Sequence, residues 1–172
     1  MRDEESYVEF AAAARERLRR TAYLLCGDWD RASDFVQEGL IRVYVAWPRL
    51  TRKGGEHAYA RQAVVSAFLD HARRRSSREF AVEPDPQQAA DGDLARDVSA
   101  RVALMANLAQ LPPRQRACVV LRYFEDLDVA QTAEVLGCSQ GTVKSQTSKA
   151  LASLRSMFCE SPTGELALKG AW

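Results

Sequence analysis

The sequence predicts an all-α protein made of two small helical domains that are joined by a flexible, acidic linker. Apolar residues recur at helical spacing through most of the 172 residues, and no convincing run alternates as a strand would. The pattern breaks most clearly between Ser76 and Asp97, where prolines, a glycine and acids replace it. We therefore assign residues 1–76 to the first domain, 77–97 to the linker, 98–160 to the second domain and 161–172 to a flexible tail.

The first domain is predicted to hold three main helices, and the middle one has two unlike faces. The helices are expected at Tyr7–Cys26, Asp30–Trp47 and Glu56–Ser76. The core face of the middle helix consists of Phe35, Val36, Gly39, Leu40, Val43, Ala46 and Trp47. The opposite face consists of Asp34, Gln37, Glu38, Ile41, Arg42 and Val45. Branched aliphatics ringed by acids and amides are typical of a partner site, unless another helix of the same domain covers them.

The third helix and the loop before it are basic. The outward-facing residues of this helix are Tyr59, Gln62, Ser66, Leu69 and Arg73, and Arg74, Arg75 and Arg78 follow. The preceding loop, Pro48–Gly55, contains three basic residues and two glycines. Aromatic, amide and basic groups beside such a loop suit single-stranded nucleic acid, whose bases stack and whose phosphates need neutralisation. An arginine-rich helix end is also common as a solvated C-terminus that the helix dipole favours.

Near the C-terminus, residues 128–155 predict two short helices joined by a tight turn. Asp128 and Gln131 have the spacing of a reciprocal capping box, and Ser139 can cap the second helix. Gly137 is placed to adopt the left-handed conformation that ends the first helix, and Ala133 allows the two helices to approach closely. This spacing is that of a DNA-binding helix-turn-helix.

The second helix of this motif has an outward face that suits a DNA duplex. That face comprises Gly141, Ser145, Ser148, Lys149 and Ala152, and Lys144 flanks it. No acidic residue lies between Glu134 and Glu160, so nothing on this helix repels phosphates. The competing interpretation is an ordinary amphipathic helix, because helix-turn-helix geometry also occurs in proteins that bind no DNA.

Composition limits the other classes of function. The net charge of +1 argues against a general polyanion binder, so any nucleic-acid surface needs locally segregated charge. We expect no secretory signal at the N-terminus, because no apolar segment follows its charged first residues, and no apolar run reaches membrane-spanning length. The four scattered cysteines suggest reduced thiols in a cytoplasmic protein. His57 and His71 are too far apart to chelate a metal together and are expected to be solvated, and we expect no cofactor, metal or enzymatic activity.

Four motifs together carry a family resemblance. They occur in the expected order and distances: DFVQEGLI at Asp34–Ile41, YARQAVVSAFLD at Tyr59–Asp70, LPPRQR at Leu111–Arg116 and GTVKS at Gly141–Ser145. The chain resembles an extracytoplasmic-function sigma factor of bacterial RNA polymerase over about residues 7–158. The segment Leu24–Asp28 and the preference for arginine over lysine resemble an actinobacterial SigE-like subgroup. The implied domains are sigma regions 2 and 4, with the linker in place of the middle domain of larger sigma factors.

The resemblance implies roles for particular positions. The residues implied to bind the clamp helices of the polymerase β′ subunit are Asp34, Gln37, Glu38, Ile41, Arg42 and Val45. Those implied to recognise and melt the −10 element are Arg49, Arg52, Lys53, Tyr59, Gln62, Ser66, Arg73 and Arg74. Those implied to read the −35 duplex are Gly141, Lys144, Ser145, Ser148 and Lys149. The segment Leu111–Phe124 is implied to help dock on the β flap, and an anti-sigma factor is an implied antagonist.

Three residues depart from the usual pattern of this family. Ser66 stands where asparagine is frequent, which changes the expected −10 base preference, and Gln146 stands where arginine often contacts a phosphate. Thr132 replaces a common aliphatic, for which we expect a small cost in packing.

The remaining alternative is a helix-turn-helix transcriptional regulator that is not a polymerase subunit. The N-terminal half of such a regulator would be a sensor or phosphoacceptor domain with alternating strands.

Overall fold

A computed structural model describes residues 4–50, 55–78 and 95–160, and every regular element in these ranges is a helix. The α-helices are α1 Glu4–Cys26, α2 Trp29–Ala46, α3 Gly55–Arg78, α4 Ala95–Gln110, α5 Pro113–Val119, α6 Val129–Leu136 and α7 Gln140–Glu160. A 3₁₀ turn, Trp47–Arg49, follows α2, and a π turn, Val120–Phe124, follows α5. The predicted all-α class is confirmed, and within the described ranges no helix is long and apolar enough to cross a membrane.

Helices α3 and α4 extend into the segment that was predicted to be the linker. Helix α3 continues to Arg78 and α4 begins at Ala95, so both ends of the 77–97 segment are helical. The central part of the predicted linker, residues 79–94, and the predicted tail, residues 161–172, lie outside the described residues.

The first domain is held together by a close approach of α2 and α3. Gly39 of α2 is buried, and a Cβ atom built there would lie 2.7 Å from Cγ2 of Val64 and 3.3 Å from its backbone nitrogen. Any larger residue at position 39 would push the two helices apart. Phe35, Val36 and Val43 are buried on the same face, as the helical projection predicted.

A tight turn between α1 and α2 fixes the direction of α2. Gly27 has a φ of +74°, a left-handed conformation that favours glycine, and its N–H donates to the carbonyl of Tyr23 at 2.7 Å. The Asp28 carboxylate then accepts hydrogen bonds from the N–H groups of Asp30 and Arg31 at 2.8 and 3.0 Å. This cap starts α2 at Trp29, one residue before the predicted start.

The helix-turn-helix forms with the predicted caps. Asp128 accepts from the Gln131 N–H at 2.7 Å, and the Gln131 side chain accepts from the Asp128 N–H at 2.9 Å. Gly137 is left-handed with a φ of 60°, and Ser139 Oγ accepts from the Thr142 N–H at 3.1 Å. The second helix is not short as predicted: α7 has 21 residues, because its apolar stripe continues through Ala150, Leu154 and Phe158.

The two domains pack against each other in this structure. One hydrophobic cluster combines buried residues of α1, α2 and α3 with Ala117, Val120, Leu121 and Leu127 of the second domain. A second cluster contains Leu108, Leu111, Val119, Ala150, Leu154 and Phe158. The sequence pattern predicted two domains and gave no sign of a shared core.

Candidate protein and nucleic-acid interfaces

The outer face of α2, called the α2 strip below, carries both apolar and polar side chains and is largely exposed to solvent. Its residues are Asp34, Gln37, Glu38, Ile41, Arg42 and Val45. The side chains of Ile41 and Val45 are 58% and 71% exposed, and no helix in the described part of the chain covers them. The alternative, that another helix of the same domain covers the strip, is therefore wrong for the described residues. Asp34 and Gln37 are exposed beside it. Glu38, Ile41 and Val45 thus present carboxylate and apolar groups on one surface.

An ion pair and an aromatic contact hold side chains of the α2 strip in position. Arg42 Nη2 pairs with Glu38 Oε1 at 2.5 Å, so this basic residue partly neutralises an acid of the strip. Tyr7 donates its hydroxyl hydrogen to the Leu40 carbonyl at 3.0 Å and meets Tyr44 edge-on at 4.9 Å. Tyr44 is 49% exposed and extends the strip, although the sequence analysis did not include it. Its position three residues after Ile41, on the same helix face, was the available signal.

A groove of about 430 Å³ lies between α2 and α3, next to the strip. Its lining residues are Arg31, Asp34, Phe35, Glu38, Ala67, His71, Arg74 and Arg75. His71 was expected to be solvated, which is wrong, because it is half-buried and packs edge-on against Phe35 at 5.5 Å. Burial, and then the nearby arginines, lower the pKa of His71, so the neutral imidazole is favoured. His57 is exposed, as expected, and packs edge-on against Phe10 at 4.9 Å.

Fewer side chains on the outward face of α3 are exposed and unpaired than the sequence predicted. Gln62, Arg73 and Arg74 are exposed, whereas Ser66 is half-buried. Tyr59 is also half-buried and packs against the core, and Ala63, one turn further along α3, is buried as well, so the buried stripe of α3 is wider than predicted. Arg73 is paired with Asp70 at 3.1 Å, and the Arg74 Nε–H donates to the Asp70 carbonyl at 3.2 Å. Arg49 is exposed on the 3₁₀ turn, while Arg52 and Lys53 lie outside the described residues.

The predicted DNA-reading face of α7 is open. The exposed residues on it are Gly141, Lys144, Ser145, Ser148 and Lys149. The inward face is buried through Val143, Ala150 and Leu154, which fixes how the outward face is presented. Lys144 and Ser148 also line a groove of about 280 Å³ together with two residues that the sequence analysis missed, Arg122 and Arg155. Arg155 lies two helical turns after Ser148, which was a usable signal.

Two residues depart from the family pattern inside the helix-turn-helix, Thr132 in α6 and Gln146 in α7. Thr132 is fully buried, and its hydroxyl donates to the Asp128 carbonyl at 2.8 Å. The polar atom is therefore satisfied, and the residue adds a bond to the N-terminal turn of α6. Gln146 is half-buried beside the exposed face of α7.

The described cysteines are free thiols. Cys26 and Cys138 are half-buried, and Cys118 is buried. Burial raises the pKa of the Cys26 and Cys118 thiols to about 11, so both are protonated at neutral pH. Among the described residues, no group of three or more His, Cys, Asp or Glu side chains could hold a metal ion.

Comparison with known proteins finds a family match in each half of the chain. Residues 10–78 match the model of sigma-70 region 2, and residues 101–154 match that of sigma-70 region 4. The RNA polymerase sigma-E factor of Streptomyces avermitilis is 35% identical over 149 residues, covering 87% of this chain and 83% of the relative. The SigE factor of Mycolicibacterium smegmatis, an extracytoplasmic-function sigma factor, is 30% identical over 87% of this chain and 60% of its own length.

A solved structure has the same fold. It is the sigma factor RpoE of Bartonella quintana in complex with the anti-sigma factor NepR, which superimposes with a TM-score of 0.65 at 22% identity and covers 91% of this chain and 99% of that one. The chain therefore belongs to the sigma-70 family of RNA polymerase sigma factors. Within it, the chain is an actinobacterial SigE-like extracytoplasmic-function sigma factor, an alternative sigma factor that directs transcription initiation. The alternative of a regulator that is not a polymerase subunit is wrong.

Proposed function

We propose that this sigma factor uses three separate surfaces, one for core polymerase and two for promoter DNA. Residues 1–76, as region 2, bind core polymerase and melt the −10 element, and residues 98–160, as region 4, read the −35 element. The observation that carries the assignment is that α2 and α7 expose two chemically opposite faces. The α2 face is apolar and acidic, whereas the α7 face is basic and free of acids.

The α2 strip is the surface that binds the β′ clamp helices. The aliphatic side chains of Ile41 and Val45 are exposed to solvent in the free protein. Binding of a partner would bury their apolar surface, which is favourable because it removes that surface from water. Asp34, Gln37 and Glu38 form the polar rim that sets orientation and favours a basic partner. Arg42 holds Glu38 in place through its ion pair.

The outward face of α3 is the surface for the −10 element. Gln62, Arg73 and Arg74 supply exposed amide and cationic groups, and Arg49 adds a cation at the end of α2. Tyr59 is partly exposed and packs against the hydrophobic core, so we assign it to the wall of a base pocket. Ser66 is the partly exposed hydroxyl of this surface, and Arg52 and Lys53 complete the proposed set.

The exposed face of α7 is the surface for the −35 duplex. Lys144, with Arg122 and Arg155 on the same groove, forms a cationic edge suited to phosphates. Ser145, Ser148 and Lys149 are placed to contact base edges, and Gly141 lets the backbone approach the DNA closely. The remaining contact, docking on the β flap, is assigned to the segment Leu111–Phe124.

Other parts of the proposal follow from the family. An anti-sigma factor is expected to act by covering the polymerase and DNA surfaces, and RpoE of Bartonella quintana was solved with such a partner. We propose that the chain works in the bacterial cytoplasm, at the nucleoid through polymerase. It is expected to need no metal or cofactor and to catalyse no reaction of its own.

A run-off transcription assay tests the proposed function directly. Core polymerase from the host is combined with the purified full-length chain and with duplex fragments of the host genome. We expect discrete transcripts that require the chain and disappear when Ile41→Asp replaces the native protein. Transcripts of equal yield from core polymerase alone would contradict the proposal.

The −35 assignment predicts a change in salt dependence. Lys144→Ala is expected to weaken −35 duplex binding and to lower the slope of log affinity against log salt by about one phosphate contact. Fluorescence anisotropy at several salt concentrations measures this slope. Arg101→Ala, an exposed cation on α4 away from the proposed face, is the matched control and should leave the slope unchanged. Equal slopes for Lys144→Ala and the native protein would move the −35 surface elsewhere.

A further inference from the structure

The groove between α2 and α3 carries three cations, of which the proposed surfaces use only one. The two helices run antiparallel, because Gly39 lies against Val64 and Phe35 lies against His71. The start of α2 therefore lies beside the end of α3. This packing brings one arginine of α2 and two of α3 to the wall of the groove, namely Arg31, Arg74 and Arg75. Only Arg74 was assigned a role in DNA binding.

The lining of this groove has an excess of positive charge. Two acids lie on it, Asp34 and Glu38. The Glu38 carboxylate is already paired with Arg42, which is not one of the lining residues, so Asp34 is the remaining acid. Three guanidinium groups thus face one unpaired carboxylate, and the groove is expected to attract anions.

His71 shows that the three positive charges converge. Its imidazole is half-buried on the groove lining, and among the described residues its Nε2 atom has no hydrogen-bond partner. Burial lowers the pKa of this imidazole most, and the charges of Arg31, Arg75 and Arg74 lower it further. A ring that is influenced by all three arginines reports the electrostatic potential of the groove.

The size and lining of the groove suit a small phosphorylated molecule. Its volume of about 430 Å³ lies within the usual range of small-molecule sites, roughly 300 to 1,000 Å³. Phe35 and Ala67 supply an apolar part of the wall, and the arginines supply the few polar groups that such sites need. Guanidinium groups bind phosphoryl oxygens in pairs of parallel hydrogen bonds, and three of them offer more donors than a single phosphate can use.

We propose that Arg31, Arg74 and Arg75 form the anion site of a pocket whose ligand is a small molecule with a diphosphate group. Asp34 and Glu38 belong both to this pocket and to the α2 strip. The pocket cations therefore lie beside the rim that is proposed to meet a basic partner, and they oppose its approach. A bound diphosphate offsets them, so ligand and polymerase strengthen each other's binding. This coupling rests on the proposed function, whereas the anion site does not.

Imidazole NMR on the full chain tests the anion site without polymerase. The chain has only two histidines, so the signals of His71 and of the exposed His57 can be followed separately. Inorganic pyrophosphate is the probe, at constant ionic strength. We expect saturation with a dissociation constant below about 1 mM and a rise of roughly one pH unit in the pKa of His71, because the anion offsets the arginine charges. The pKa of His57 should not change.

Substitutions on both helices show whether the arginines hold the anion. Arg31→Gln and Arg75→Gln are each expected to weaken pyrophosphate binding at least tenfold, whereas Arg75→Lys, which keeps the charge, should bind within about threefold of native. Arg101→Gln, an exposed cation on α4, is the matched control and should bind normally. Circular dichroism checks that each variant is folded, and the two positions lie on different helices, so one misfolded variant does not remove the test.

Three results would overturn the anion site. Native pyrophosphate affinity in the folded Gln variants would show that these arginines do not hold the anion. An equal response to sulfate at the same ionic strength would indicate an adventitious ion only. If a single-stranded −10 oligonucleotide shifted the His71 signal and pyrophosphate did not, the groove would be part of the DNA surface instead.

The coupling to polymerase is measured by the affinity for immobilised core enzyme with and without pyrophosphate. We expect a gain of about threefold for the native chain and none for Arg31→Gln, and the variant corrects for any effect of pyrophosphate on the polymerase itself. Specific pyrophosphate binding without this gain would overturn the coupling. A native chain that did not bind core enzyme would refute the proposed function, while the NMR titration would still decide the anion site.

Discussion

Ile41→Asp is expected to reduce the affinity of the full chain for core RNA polymerase by about a hundredfold, which corresponds to about 2.7 kcal/mol. The side chain is 58% exposed in the free protein, so the substitution should leave helicity and thermal unfolding nearly unchanged. In the complex, however, the new carboxylate would be desolvated within an apolar contact without a partner. Biolayer interferometry with immobilised core polymerase measures the effect.

The matched control for this experiment is Val102→Asp. Val102 is 57% exposed, nearly the same as Ile41, but it lies on α4 in the second domain. The control should bind within about twofold of the native protein, since surface substitutions away from an interface have small effects. Equal losses for the two variants would show that a new surface charge alone weakens binding, and the α2 assignment would then be wrong.

A charge reversal probes the polar rim of the same strip. Glu38 pairs with Arg42, and both side chains are about two-fifths exposed. Glu38→Lys would place two cations side by side on a surface that is proposed to meet a basic partner. Its loss of affinity should decrease as salt is raised, whereas that of Ile41→Asp should not, because only the first is mainly electrostatic.

Sequence reasoning succeeded where the determinants are local. Gly137 was predicted to end α6 because a left-handed residue is needed there, and Asp128 and Gln131 were predicted as a cap from their spacing alone. The exposed strip on α2 was predicted for a similar reason. At a period of 3.6 residues, the positions of Phe35, Val36 and Val43 leave Ile41 and Val45 on the outer face.

The contacts that sequence reasoning missed depend on tertiary structure. Glu125 has no distinguishing neighbours in the sequence, and its partners Arg17 and Arg61 are 108 and 64 residues away. The π turn that directs it inward has no simple pattern of its own. Tyr59 was placed on the outward face by periodicity, but the width of the buried stripe on α3 depends on how closely α1 and α2 approach it. Helical period alone does not determine that width.

The double variant Gln62→Ala, Arg73→Ala is expected to reduce open-complex formation on duplex DNA by about a hundredfold. A base can be held outside the stack only if contacts offset an unstacking cost of a few kcal/mol. Gln62 and Arg73 are exposed side chains of the proposed −10 surface that can supply a hydrogen bond and a charge. Core binding and closed-complex formation should stay within about threefold of native, because neither residue belongs to the α2 strip or the α7 face.

Permanganate reactivity of unpaired thymines measures strand opening on duplex DNA. The same measurement of activity is repeated on a template that is already mismatched across the −10 region. On that template the double variant should recover much of its activity, since the unpairing cost has been removed in advance. The matched control is Gln110→Ala, Arg101→Ala, which changes the same residue types at exposed positions of α4. If the Gln62, Arg73 variant opened duplex DNA at the native rate, the melting surface would have to lie elsewhere in the first domain. A deficit that persisted on the mismatched template would instead indicate that these side chains act in a step other than strand opening.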